Sequence, residues 1–498
     1  MTYPWWLVHR KNSPFQHPSS TTPTITSPTA RTPILNDFVD HYGLTFFWSP
    51  LHRTSQQLNV LRALGDKYAD PALLDMRLGP LGDPLECFQT AGAAGTAGTA
   101  GTGEAEGPIA RLYNQLTTVP SWVDWDQIRR GQNVFIRYAG GTGMSLLNCS
   151  LVGGFGAPKI NKVLGATGYL SRSCAGSYVR LFETLQMIAD CMEPDGLLPT
   201  TGVGWKASIR VRMLHAKIRK RLRGMDKWQE KEWGCPINQE DMAATLLSFQ
   251  IIVLECLNYM GFALTVQEQE DYTHVWRLIG YYSGCDEEYN ACTSLAYSRA
   301  TLESITFHIV HPDATSAQMS NHMLRAVANR PPLHMSYACG AQLSRMLLGE
   351  VGADKLQLPP EHAGWHVYHA WHFLVLRFFV QLSWLPWVGG WMLQVQRQIL
   401  QGAAKKFQGG VRTRYHLKHV PDDQHFDAMQ VGTMADEKKG GNRLCGSVCF
   451  NFGGRGGMCG KWWGRKATRR WVVVVVLVAV VWQFWRSMFG AQRFSFET

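Results

Sequence analysis

The sequence has no acidic residue before Asp37 and no sustained apolar stretch in its opening "MTYPWWLVHRKNSP". The second absence excludes a secretory signal peptide. Residues 1–36 are instead rich in Ser, Thr and Pro, and the prolines break the amphipathic helix that a mitochondrial presequence needs. A disordered leader is expected there. Twelve cysteines are present, but their spacing makes no disulfide framework. Cys149, Cys191 and Cys256 lie in apolar or helical contexts, as free thiols of a reducing compartment do. Cys445, Cys449 and Cys459 match no standard zinc site. No stretch alternates apolar and polar residues long enough to build a sheet, which leaves an all-α class. The formal charge of +11 comes with no nucleic-acid-binding motif, so nucleic acid is not an expected partner.

What is present is a chain of 498 residues, 45% hydrophobic and 17% charged, a balance that fits a globular protein with some membrane character. Its basic residues cluster at 206–231 and in the tail, where anionic lipid or an anionic cofactor would use them. The clearest membrane signal is "RRWVVVVVLVAVVWQFWR", uncharged from Trp471 to Trp485. Lys461, Arg465, Lys466, Arg469 and Arg470 precede it, with Trp462, Trp463 and Trp471 at one edge and Trp482 and Trp485 at the other. The run is short of the roughly 20 residues that cross a bilayer comfortably, but a thin membrane and snorkelling arginines accommodate it. A buried valine-rich strand is the alternative; the preceding Gly-rich stretch and the lack of strand-like neighbours disfavour it. A C-terminal anchor with the body of the protein in the cytosol is the expectation.

The organisation read from the sequence is a leader at 1–36, a single helical domain at 37–400, a Gly/basic linker at 401–470 and the anchoring segment at 471–485. The tract "TAGAAGTAGTAGTGEAEG" at 90–107 has nothing to pack and reads as a flexible surface insertion. Residues 175–191 form a helix with Leu181, Leu185 and Ile188 on its apolar side. "INQEDMAATLLSFQIIVLECLNYMGF" reads as one long central helix, with Asn238 as N-cap, Asp241 completing a box-like pair and Gly261 as its stop. In 365–400, Arg377 and the breaks at Pro386, Gly389 and Gly390 argue against a membrane span; a core or membrane-surface helix is expected.

Within "RVRMLHAKIR", Val211, Leu214, Ile218 and Leu222 make an apolar stripe at helical spacing, with His215 in it and Arg212 and Arg219 one turn to either side. A core histidine bonded to a backbone carbonyl beside a solvated basic face is one reading. The other is an axial ligand to haem iron with arginines on the haem propionates. No C-x-x-C-H occurs, so any such haem is held non-covalently. "RLFET" puts Arg180, Glu183 and Thr184 on one helix face, where a neighbouring helix would bring them towards His215; a local Arg–Glu pair on a solvated face is the alternative.

Together "RLFET" and "RMLHA" resemble the haem-b oxygenases typified by the bacterial latex clearing (rubber oxygenase) proteins, with a fungal branch that includes the ER-bound oxygenase of mycophenolic acid biosynthesis. "SLVGGFGAPKINKVLGATGYLS", "WGCPINQEDMAATLLSF" and "HVWRLIGYYSG" extend the resemblance over roughly residues 110–355. It implies a globin-like helical core with a buried haem pocket and His215 as the axial iron ligand. It further implies that Arg180 and Thr184 donate to bound oxygen or to a propionate and that Arg212 pairs with a propionate or orients the haem. Glu183 stands where the rubber-cleaving enzymes carry a lysine that fills the sixth iron position, so that ligand is not carried over, and Glu183 becomes a candidate general base.

The activity implied is O2-dependent oxidative cleavage of a C=C bond in an isoprenoid or prenylated lipophilic substrate, at the endoplasmic reticulum membrane. A haem-dependent hydroxylase or oxidase of a secondary metabolite, and a non-catalytic membrane-tethered haem-binding protein, are the alternatives. A separate cluster, "PPEHAGWHVYHAWH", spaces His362, His366, His369 and His372 about a turn apart, which suits either a metal site or, the favoured reading, a Trp/His-rich amphipathic surface.

Overall fold

The structure, a computed structural model, describes residues 24–28, 31–76, 82–88, 107–168, 170, 173–331, 334–386, 388–407, 412, 413 and 415. The helices that build the site are α1 (Ser55–Ala63), α2 (Ala69–Asp75), α3 (Pro108–Thr117), α4 (Trp125–Arg137), α5 (Cys174–Cys191), α6 (Val203–Arg223), α7 (Gln239–Phe249), α8 (Ile251–Tyr259), α9 (Val266–Ser283), α10 (Leu295–Ile309), α11 (Ala314–Val327), α12 (Tyr337–Leu348), α13 (Ala363–Leu382) and α14 (Gly389–Phe407). The chain is mostly helical, as its lack of alternation predicts, with one addition. A small sheet of β1 (Thr24–Ile25), β2 (Phe38–His41) and β3 (Leu44–Phe47) pairs β1 parallel and β3 antiparallel to β2. Strands this short carry too little alternation to be read from sequence. Ile25, Val39 and Phe46 are buried against Phe307 of α10, so the described part of the leader is ordered at Ile25.

The helices obey local rules. Ser173 accepts from the Gly176 N–H and caps α5, Asn238 caps α7 through Asp241, and Thr265 with Glu268 forms a capping box on α9. The expected long helix from Gln239 is broken at Gln250, whose backbone leaves the helical region and whose buried side chain donates to Thr273 at 2.7 Å. Gln239–Tyr259 is long and apolar enough to cross a membrane. Its two helices are nevertheless packed into the protein, with Leu247, Val253 and Cys256 fully enclosed, and they make the centre of the core.

Packing around that centre is tightest between α4 and α9, and α5 lies against α6, α11 and α14. Tyr272, Tyr282, Leu112, Leu116 and Ile209 are fully buried; each removes apolar surface worth about 1.5–3 kcal/mol. Gly204, at the start of α6, lies against the end of α5: a side-chain Cβ there would stand 2.5 Å from the Cα of Cys191. That close approach sets the crossing of α5 over α6. The described cysteines are all free thiols.

The proposed helical domain continues past residue 400: α14 runs to Phe407, and Thr413 and Tyr415 pack back onto α5. Apart from Arg412, the rest of the 401–470 segment, together with the anchoring run 471–485 and the insertion 90–107 except Gly107, lies outside the described residues.

Candidate active site

A cavity of about 990 Å³ runs between α5, α6, α7, α9 and α14, at the upper end of the range for small-molecule and cofactor pockets, about 300–1,000 Å³. From α6 it is lined by Val211, His215 and Ile218, one stripe at i, i+4 and i+7. From α5 it is lined by Arg180, Leu181, Thr184, Leu185 and Ile188. The crossing of these two helices is therefore what brings "RLFET" towards "RMLHA".

His215 lies deep in the protein, yet part of its ring is accessible because it borders the cavity. Its Nδ1 is buried with no hydrogen-bond partner among the described residues. Burial, and then the cations of Arg219 and Arg180, push its pKa down to about 3. A neutral imidazole follows at any physiological pH, which is the form that binds metal. The backbone-bonded core histidine considered from sequence is not what is found.

Arg180 is half-buried, and its Nη1 donates to Glu183 Oε2 at 2.8 Å. Thr184 lines the cavity while its hydroxyl donates to the Arg180 carbonyl at 3.3 Å. Glu183 is brought close but does not line the cavity. Its other carboxylate oxygen accepts from the Thr413 hydroxyl at 3.4 Å, on the far side of α5.

Arg212 is placed differently from the expectation that it meets a propionate. Its Nε and Nη2 donate to the two carboxylate oxygens of Asp66 at 2.7 and 2.9 Å, and its Nη1 donates to Gln115 at 2.8 Å. Arg219 similarly pairs with Asp70 at 2.8 Å and with the Ile237 carbonyl at 3.0 Å. Neither arginine lines the cavity; both hold α6 against "GDKYAD" at the head of α2. Burial opposes a charge on Asp66, but Arg212 and then Arg219 hold its carboxyl below the usual carboxylate range. Gly284, at φ +98°, packs on this pair, and a Cβ there would stand 2.2 Å from Asp66 Oδ2. Asp66 and Asp70 carried no periodic or motif signal, because an ion pair across 146 residues is invisible to local spacing.

Two further wall residues were missed. Asp241, read from sequence only as part of a helix cap, lines the cavity. Burial pushes its pKa up to about 6, against the pull of Arg62, with Glu240 raising it further. Tyr415, within the expected linker, also lines the cavity, and its hydroxyl accepts from Gln186 at 3.4 Å.

The histidines of α13 do not converge. His362 caps the helix through Gly364, and His366 pairs with Glu361. Buried His369 bonds the Cys339 carbonyl at 3.1 Å, and His372 bonds the Tyr368 carbonyl at 2.9 Å. Among the described residues no group of three or more His, Cys, Asp or Glu side chains is arranged to hold a metal ion.

The fold is similar to a latex clearing protein solved in its closed state, with a TM-score of 0.51 and 19% identity over 76% of this chain and 97% of that one. No curated protein matches the chain. Residues 136–382, which contain α5 and α6 with Arg180, Thr184 and His215, match the family described as ER-bound oxygenase mpaB/B'/Rubber oxygenase, catalytic domain, and the chain belongs to that oxygenase family.

Proposed function

We propose that this oxygenase is a membrane-associated haem-b enzyme that cleaves a C=C bond in an isoprenoid or prenylated lipophilic substrate, placing one atom of O2 on each of the two carbonyl carbons formed. One observation carries the reading: a neutral imidazole with an unpartnered buried nitrogen, set in the wall of a large apolar cavity beside an arginine. A buried imidazole nitrogen left without a hydrogen bond is costly. It would suit a ligand to haem iron, whose other ligands the macrocycle would supply.

His215 would hold the iron, which when bound supplies the O2 chemistry. Arg180 presents N–H donors, and Thr184 an oxygen, at the same stretch of wall, where they would bind a haem carboxylate or orient the substrate's reacting end. Glu183 is a positioning residue for Arg180: its carboxylate fixes the guanidinium and offsets its charge. Asp241, with a pKa raised to about 6 by burial and a place in the wall, is the carboxylate suited to take up or return a proton. The apolar remainder excludes water and receives a prenyl chain. The ER location named in the family description is proposed for this chain also, with 471–485 as anchor.

The test is an absorption spectrum of the detergent-solubilised protein beside His215→Ala, with haem counted by pyridine haemochrome, followed by incubation with a farnesylated compound under O2. A b-type Soret band that His215→Ala loses, and aldehyde or ketone fragments from the substrate, are the expected results. A parent without haem, or a variant with an unchanged spectrum, overturns the reading; hydroxylated products without cleavage would refute the assigned reaction.

A further inference from the structure

The outer face of the α13–α14 hairpin is apolar and uncovered among the described residues. Val367, Trp371, Leu374 and Phe378 follow one another at i, i+4, i+7 and i+11 along α13. They are exposed to 72%, 64%, 54% and 53% respectively. Leu385 in the turn, and Trp391 and Ile399 on α14, are exposed as well. Single exposed apolar residues need no explanation, but a continuous patch of this kind marks an interaction surface.

The hairpin is not loosely attached. On its inner side Arg397 donates to Asn133 at 2.7 Å and to the Met192 carbonyl, Gln401 donates to Glu193 at 2.9 Å, and Arg137 lies 3.7 Å over the ring of Trp384. One face is thus fixed by polar contacts to α4 and the end of α5 while the other is left apolar.

Three features decide what covers it. Residues 363–407 contain no Asp or Glu, and Arg377, Lys405 and Lys406 are exposed among them, a charge pattern that suits an anionic surface. The exposed aromatics are mostly tryptophans, the side chains that settle at the headgroup level of a bilayer. Moreover, Trp391 and Ile399 are at once exposed and part of the cavity wall, so the cavity reaches the surface along α14.

We propose that α13 and α14 lie in the surface of an anionic bilayer, with the Val367–Phe378 stripe in the lipid, so that the cavity opens towards the membrane independently of the C-terminal run. The hairpin would then be an in-plane amphipathic element and the entrance for a lipid-dissolved molecule. The contact itself does not depend on haem or on the reaction.

The experiment uses the full chain on phosphatidylcholine vesicles with and without phosphatidylserine, carrying a phosphatidylcholine whose acyl chain bears a diazirine. After illumination, lipid adducts are mapped by peptide mass spectrometry. Adducts are expected on peptides from 363–407, more with phosphatidylserine than without. They should fall about tenfold in a Val367→Ser/Trp371→Gln/Leu374→Gln/Phe378→Gln variant while adducts on 471–485 persist. Circular dichroism of the variant checks that the outward-facing changes leave the fold intact, and Arg377→Glu, which should reduce the phosphatidylserine dependence, is the second variant. Adducts confined to 416–498, or unchanged in the four-site variant, overturn the proposal, as does a stable dimer whose cross-links map to this face. None of these outcomes requires bound haem, so they stand apart from the test of the active site.

Discussion

The pairing of Arg212 with Asp66 separates a structural role for this arginine from a cofactor-binding one. Both side chains are nearly inaccessible, at 3% and 4%. Arg212→Met removes the cation and leaves Asp66 with the N–H groups of Tyr68 and Ala69 at 3.1 and 2.9 Å and with Arg219 at 3.9 Å. Breaking a buried pair from one side costs about 3–5 kcal/mol, and the residual help from Arg219 places the expected loss near the lower end. Asp66→Asn keeps an acceptor for the two N–H groups that it caps but strands the guanidinium, for a loss of similar size. In the double variant neither charge is left alone, so the two losses should not add, and a coupling of about 2 kcal/mol is expected. The assay is urea unfolding of the haem-free chain in mild detergent, followed by far-UV circular dichroism for the parent, both single variants and the double. An Arg212→Met protein that unfolds with the parent's midpoint but binds haem weakly would refute the reasoning and return Arg212 to a propionate.

The remaining predictions concern the same wall. His215→Ala should abolish haem binding while changing the stability of the haem-free chain by no more than about 1 kcal/mol, since no hydrogen bond is lost; titration with hemin beside urea unfolding checks both. Between pH 3 and 6.5 the folded chain carries fewer protons at His215 than the unfolded chain, because its pKa falls to about 3. Stability from this group therefore rises with pH through that window, and His215→Gln should gain on the parent at pH ~5 relative to pH ~7.5. Asp241 acts in the opposite sense: with its pKa raised to about 6, it makes the folded state less stable as pH climbs from about 4 to 6. Asp241→Asn should flatten that arm of the unfolding profile and remove any limb near pH 6 from the rate profile. Gly284→Ala would force a Cβ into Asp66 and Arg212 at a left-handed backbone position, at a cost of roughly 1–3 kcal/mol, readable as a lower unfolding midpoint.

The helical class, the α5 boundaries to within a few residues and the stripe that carries His215 were legible because each rests on local periodicity. Val211, His215 and Ile218 share a stripe whatever surrounds them. The partners of Arg212 and Arg219 were not legible: Asp66 and Asp70 lie on another helix head, far away in sequence, and an arginine one turn from a ligand reads equally well as facing outward. Asp241 was hidden for a different reason. Its local signal as a capping residue was correct and complete, so nothing in the sequence called for a second role. Tyr415 follows a run dominated by glycine and isolated charges, whose composition reads as linker, although its ring is buried against α5.

These placements change what the spacing of Arg212 and His215 accomplishes. Positions 212 and 219 fall on one stripe of α6, and 211, 215 and 218 fall on the adjoining one. The first stripe is clamped to buried Asp66 and half-buried Asp70 by charge-assisted pairs; the second faces the cavity. Rotating α6 about its axis to redirect His215 would pull both guanidinium groups off their carboxylates. The imidazole therefore has its direction fixed without an acceptor on Nδ1, the device that usually orients a metal-bound histidine. Burial denies the ring a proton, and the cation of Arg219, held in this clamp, adds to it. Arg212 is on this argument a positioning residue. Loosening it by Arg212→Lys should leave haem bound but broaden or split the Soret band, as one ligand direction gives way to several. A band as sharp as the parent's would show that packing around Val211 and Ile218 orients the ring by itself.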